Sequence, residues 1–308
     1  MTQLTESPEI QALLDRVAGL EGNIAPGDHR MKEIIRKMVG DLFETIDRFD
    51  ISDNEFWHGL NFLAAAAPEF GLLAAGLGLE RFLDVRADAK DAAAGVTNNT
   101  PRTIEGPLYV AGAPLVQPGT RIDDGSDEGE VLIMHGQVRD ADGKPVPNAI
   151  VEVWHANTKG NYSYFDKTQS EYNMRRRIQV GPDGNYSFRS IVPAGYGVPP
   201  EGPVDQVLKS VGRHGNRPAH IHFFVYAPGY RYLTTQINIQ GDPYLHDDFA
   251  YATRDDLIPP LVRKEDPAEI HAAGLNGPFS DIAFDFVLVR AASPEEEAPS
   301  TRARALAD

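Results

Sequence analysis

Apolar residues recur every three or four positions through the first hundred residues and every second position after them, so the chain changes period near residue 100. In the first part, Ile10, Leu13, Leu14 and Val17 lie on one face of a helix that Ser7 caps and Pro8 opens. A second helix carries Ile34, Met38, Leu42 and Ile46 on one stripe, with Ile35, Val39 and Phe43 beside it. Two adjacent stripes are more than one contact needs; most of this surface is expected to pack within the chain and part of it against another subunit. Ser52 and Glu55 have the spacing of a capping box that opens a third helix with Phe56, Trp57, Leu60 and Leu63. A fourth helix is expected from Leu72 to Phe82.

Beyond residue 100 the segments 131–138, 150–155, 186–189, the run around His220, 232–239 and 281–290 read as strands separated by Gly, Pro and Asp. The last alternates, with Ile282, Phe284, Phe286 and Leu288 on one face and Ala283, Asp285, Val287 and Val289 on the other. The pattern predicts a mainly β chain with some α: a helical region over 1–105, a β-sandwich over 106–292, and a polar tail over 293–308 that is expected to fray.

The net charge of −16 argues against nucleic acid and anionic membrane surfaces as partners. No apolar run approaches the ~20 residues of a membrane span. The opening MTQLTESPEIQ lacks the basic and apolar regions of a signal peptide, so a cytoplasmic protein is expected. The chain has no cysteine, which excludes disulfides, thiolate nucleophiles, Fe–S clusters and Cys-based zinc sites. Any metal must be held by His, Tyr, Asp or Glu.

The sharpest chemical signal is Arg217-Pro218-Ala219-His220-Ile221-His222-Phe223. On a strand, His220 and His222 present two imidazoles on the same face, a rigid pair of nitrogen ligands. Taken alone, such a pair is as often simply packed as metal-binding. Two tyrosine-bearing loops shift the balance: Gly160-Asn161-Tyr162-Ser163-Tyr164-Phe165, and Gly195-Tyr196-Gly197 between Pro193 and Pro199. Phenolate is a hard anionic ligand and imidazole a borderline one, so two of each suit a hard trivalent ion. Spacing does not choose between Tyr162 and Tyr164, which would share a strand face. No carboxylate follows His222 within the next six residues, so a two-His-one-carboxylate site lacks its third member locally.

The strings VPNAIVEVWHANTKGNYSYFD, RRRIQV, SIVPAGYGVPPEGP and GRHGNRPAHIHFFVYAPGYRYLTTQIN resemble the intradiol ring-cleaving dioxygenases, and among them the catechol 1,2-dioxygenases. The resemblance covers nearly the whole chain, helical region included. It implies non-haem Fe(III) held by Tyr162, Tyr196, His220 and His222, with the family motif placing the first ligand at Tyr162. It implies that Tyr196 and His222 are axial and that Tyr196 takes a catechol proton. Arg217 would lie over the substrate ring to stabilise developing negative charge, and Gln236 would be an amide near the iron. Leu72, Ala75, Ile104, Pro107, Leu108, Phe249 and Ala250 match pocket positions. The implied reaction is cleavage of catechol by O2 to cis,cis-muconate, in aromatic compound catabolism through the β-ketoadipate pathway. Chlorocatechol, methylcatechol and hydroxyquinol are alternative substrates. The implied assembly is a homodimer through the helical region, which can enclose a lipid. A competing resemblance comes from Gly136 to Trp154, whose D-x-D-G-x-P-V-P-N-A turn is similar to non-catalytic transthyretin-like sandwiches; those lack the Tyr/Tyr/His/His set.

Overall fold

The computed structural model describes residues 4–20, 27–302 and 304–306; the first three residues of the opening segment and residues 303, 307 and 308 of the tail lie outside the described residues. The chain forms two compact units, Met1–Ala67 and Pro68–Asp308.

The first unit holds α1 (Pro8–Val17), α2 (His29–Arg48) and α3 (Asp53–Ala65). Each starts on a side-chain cap. Ser7 accepts from the Ile10 amide and Asp28 from the Met31 amide, while Ser52 and Glu55 cap each other's backbone amides. Such caps satisfy amides that the helix itself leaves open. Arg36 pairs with Asp15, and Lys32 donates to the Gly19 carbonyl, tying α2 to α1. None of the 20 residues of α2 is buried. Val39, Phe43 and Ile46 are half-buried, whereas Met31, Ile34, Ile35, Met38 and Leu42 are exposed. These exposed side chains form a continuous apolar row along the helix.

In the second unit, the helix expected from Leu72 to Phe82 is two: α4 (Phe70–Gly76) and α5 (Leu79–Ala93). Gly78 between them has φ 71°, a left-handed conformation that interrupts a right-handed helix and that glycine adopts without steric cost. These two helices belong with the β unit, so the helical region of the sequence is divided at residue 67.

Two sheets form the sandwich. The first has five strands in the order Leu233–Asn238, His220–Tyr226, Ile150–His155, Arg175–Gln179 and Leu115–Val116. The second runs Val262–Lys264, Phe279–Ala283, Val131–Asp140, Asn185–Ile191 and Thr120–Arg121, with Phe286–Leu288 also pairing Val131–Asp140. Val151, Val153, Ile221, Phe223 and Ile237 of the first sheet share one core with Leu132, Met134, Phe188, Ile282 and Phe286 of the second. Each such side chain contributes roughly 1.5–3 kcal/mol by leaving water.

The alternating run 281–290 is interrupted. At Phe284 and Asp285 the ladder to Val131–Asp140 pauses and resumes in the same register: the Gln137 amide donates to the Asp285 carboxylate at 2.8 Å, and the Tyr186 hydroxyl donates to the Phe284 carbonyl at 2.8 Å. Gly136 packs so closely on that carbonyl that a Cβ has no room.

The tail does not fray along its described residues. The Tyr232 amide donates to the Glu296 carbonyl, Arg302 pairs with Glu80, and Arg304 makes a two-pronged pair with Glu105 at 2.9 and 2.8 Å. Ala305–Leu306 then pairs in parallel with Val110–Ala111. A polar composition was the reason to expect disorder; here the charges find nearly buried partners, Glu105 being 6% exposed.

Candidate metal centre

Because side chains alternate along a strand, Ile221, Phe223 and Val225 enter the sandwich core while His220, His222 and Phe224 face the other way. Register fixes what surrounds the histidines. His222 stands opposite Trp154 on one side and Gln236 on the other, and His220 stands opposite Asn238. The Trp154 ring stacks on His222 with centroids 4.9 Å apart and planes 6° from parallel. Both histidines are 1% exposed.

The tyrosines arrive on loops pressed together. The Asn157 side chain accepts from the Lys159 and Asn161 amides, which shapes the turn before Tyr162. Gly160, at φ +77°, lies against the second loop, where a Cβ would come 2.8 Å from the Tyr196 Cβ. Tyr196–Gly197 pairs antiparallel with Asn216–Arg217, placing Tyr196 opposite Arg217. Tyr162 and Tyr164 do not share a strand face. The segment is a turn, Tyr164 has φ 73°, and its ring lies under the Lys167 ammonium at 4.4 Å. Tyr162 is the buried one, with its hydroxyl 3.4 Å from His220 Nε2 and its ring edge-on to Tyr196 at 5.4 Å.

The donor atoms converge. His220 Nε2 is 3.0 Å from His222 Nε2. His220 Nδ1 donates to the Pro218 carbonyl at 2.6 Å, so its Nε2 carries the lone pair that faces the cluster. Burial, then the Arg217 charge, pushes His220 down to about 3, and burial with the neighbouring His220 holds His222 well below the usual imidazole range. Both rings are therefore neutral ligands at pH 7. Burial raises the Tyr162 phenol well above its ordinary value, so its phenolate needs a cation beside it. Two neutral imidazoles and two phenols form a donor set that becomes dianionic on binding. It fits a hard trivalent ion and leaves one net positive charge for an anionic substrate. Among the described residues, no three His, Cys, Asp or Glu side chains converge as a metal site, so no two-His-one-carboxylate site is built there.

Arg217 is 3% exposed and borders the cluster, its Nη1 lying 3.0 Å from His220 Nε2. Its Nη2 donates to Gln236 Oε1 at 2.9 Å, which brings the two expected polar groups together. A cleft of about 360 Å³ opens onto Tyr162 and Tyr196. Of the expected pocket residues, Leu72 and Leu108 line it. Ala75, Ile104, Phe249 and Ala250 are buried and do not form its wall, and Pro107 packs on Gly71. Phe165 and Pro199 also line the cleft and were missed, although they adjoin the two tyrosine motifs. A larger cavity of about 420 Å³ borders α5. It holds none of the four donors, and its Asp91, Arg102 and Arg231 side chains pair with one another.

Residues 28–95 match the model described as the catechol dioxygenase N terminus, and residues 104–290 match the dioxygenase model. The chain belongs to the catechol dioxygenase family. It is 53% identical to a catechol 1,2-dioxygenase of Acinetobacter baylyi over 293 residues, 94% of each chain. A hydroxyquinol 1,2-dioxygenase of Rhizobium sp. is 34% identical over 273 residues, covering 85% of this chain and 90% of the relative. The solved catechol 1,2-dioxygenase of Acinetobacter sp. ADP1 superposes with a TM-score of 0.94 at 50% identity, over 99% of this chain and 100% of that one.

Proposed function

We propose that this enzyme cleaves catechol between its two hydroxylated carbons, placing both atoms of O2 in cis,cis-muconate, with non-haem Fe(III) held by Tyr162, Tyr196, His220 and His222. The observation that carries the cofactor reading is the convergence of a buried and a half-buried phenol with two buried, neutral imidazoles beside a cleft of about 360 Å³. Bound Fe(III) supplies Lewis acidity that holds catechol as a dianion and withdraws electron density from its ring.

The protein's own groups do the rest. Tyr196 is the half-buried donor at the cleft, placed to take a catechol hydroxyl proton. Arg217 directs N–H groups at the place where negative charge develops, and Gln236 holds the guanidinium from the adjacent strand. Leu72, Leu108 and Pro199 give the flat ring an apolar seat. Catechol is the substrate we favour over hydroxyquinol, because relatives named for catechol share 50% identity or more and the named hydroxyquinol enzyme 34%. The assembly we infer is a homodimer through the exposed row of α2, with lipid a candidate occupant of that interface; no single helix among the described residues is long and apolar enough to cross a membrane. A cytoplasmic location completes the reading.

The test is metal analysis with a substrate panel. About one iron per chain, a red colour and muconate from catechol are expected, with kcat/KM higher for catechol than for hydroxyquinol or 4-chlorocatechol. Protein that is colourless and stays inactive after iron is supplied refutes the cofactor. A higher kcat/KM for hydroxyquinol refutes the substrate.

A further inference from the structure

Arg217 has five N–H donors in a rigid plane, and most of them are already committed. Nε donates to Asp248 Oδ1 at 3.1 Å and Nη2 to Asp248 Oδ2 at 3.1 Å, a two-pronged pair between side chains that are 3% and 1% exposed. Nη2 also reaches Gln236. That leaves Nη1, which lies on the side of the tyrosine–histidine cluster, 3.0 Å from His220 Nε2. Asp248 is itself immobilised. Its Oδ1 accepts from the Ala250 amide at 3.0 Å and its Oδ2 from the Ala252 amide at 3.3 Å. The turn that carries it is pinned on both sides, the Phe249 amide donating to Asn216 and the Phe249 carbonyl accepting from Arg213.

We infer that Asp248 is a positioning residue for the ring-cleaving reaction: it fixes the guanidinium plane so that only the Nη1 edge of Arg217 faces the substrate. The inference rests on the function proposed above. It has an electrostatic consequence. The carboxylate cancels the formal charge of the guanidinium within one buried pair, so Arg217 delivers two directed N–H groups rather than a net positive field. An ordinary buried ion pair would support the fold alone; a positioning pair couples Asp248 to turnover through Arg217 and through no other group.

The experiment is a double-mutant cycle on iron-loaded full-length enzyme, with kcat expressed per bound iron. Asp248→Asn keeps the shape but turns an amide N–H toward a guanidinium N–H. We expect kcat to fall at least tenfold, KM for catechol to change less than threefold, and iron content to stay at the wild-type level. Arg217→Lys should lose a similar factor, and the double variant should be no worse than the poorer single one, because the second change acts on a group already out of place. Asp248→Glu keeps the charge, displaces it by one methylene, and serves if Asp248→Asn does not fold; it too should lose kcat. A second readout is independent of turnover. The charge-transfer band of the anaerobic catechol complex should shift alike in Asp248→Asn and Arg217→Lys, while the band of the resting enzyme does not move. Losses that multiply in the double variant, or kcat within twofold of wild type in a folded Asp248 variant, overturn the inference. If wild-type enzyme with iron makes no muconate, it is the functional reading that fails, an outcome seen before any variant is compared.

Discussion

Glu152 offers a quantitative test of how the outer face of the first sheet is built. It is 3% exposed, and its oxygen accepts the Tyr109 hydroxyl at 2.8 Å. Burial pushes its carboxyl up from 4.5 to about 7, against the opposing pull of the Tyr109 hydrogen bond and of Arg177 and Arg304. A raised value in the fold means that the native state holds the proton more tightly than the unfolded chain. The stabilisation is therefore complete below pH 4.5, declines as pH rises, and is gone once pH has passed about 7. At 1.36 kcal/mol per tenfold change in proton affinity, the amount lost is about 3 kcal/mol. Glu152→Gln removes the titration while keeping an oxygen for Tyr109. Thermal unfolding of both proteins from pH 4.5 to 8 should show wild type losing stability relative to the variant. For a unit of this size the relative change in Tm is roughly 6–12 °C. A difference between the two proteins that stays flat across this range, or moves in favour of wild type as pH rises, refutes the assignment of a buried, neutral carboxyl.

Two further outcomes are expected. Tyr196→Phe should retain iron better than His220→Ala, because Tyr196 is a half-buried donor on a two-residue strand while His220 is 1% exposed and braced by the Pro218 carbonyl; it should still lose most activity with its proton acceptor gone, and equal iron loss in both variants contradicts this division. Met38→Glu or Leu42→Glu on the exposed row of α2 should weaken the dimer without removing iron, since an unpaired carboxylate is costly at an apolar contact; sedimentation at micromolar concentration that gives wild type a mass near 34 kDa refutes the dimer.

What the sequence made legible depends on how local the deciding interaction is. The Ser52–Glu55 box, the Ser7 cap and the period-two strands are decided by neighbours within a few residues, and α1, α3 and the strand Ile150–His155 stand where those signals put them. The break at Gly78, inside an apolar run that reads as one helix, is a single left-handed residue with no periodic signature of its own. The pause in pairing at Phe284 and Asp285 lies against Gly136, about 150 residues away in sequence, and alternation continues through it. At the site, the two histidines were readable from spacing, but the choice between Tyr162 and Tyr164 was not. There a turn gives Tyr164 a positive φ and takes its ring away from the cluster, where Tyr162 remains. Asp248 has no signal of its own in the sequence; its bond to Arg217 spans 31 residues.

The same register that builds the core also aims the ligands. A slip of one residue along His220–Tyr226 would put His220 and His222 into the sandwich and Ile221 and Phe223 outside it, so burial of the apolar set holds the histidines on the outer face. That face is then stacked in depth. His222 lies on Trp154, Trp154 meets Tyr109 and Phe224 with centroids 5.0 and 4.7 Å away, and the Arg304 guanidinium caps those two rings at 5.8 Å. The order of the tail thus has a physical role. Its arginine, anchored on Glu105, closes the far end of an aromatic column whose near end is the His222 imidazole. Ligand orientation is accordingly set by hydrophobic packing on one side of a single strand and by aromatic stacking on the other. Neither depends on a metal to form, which gives the two imidazoles their place before any ion is bound.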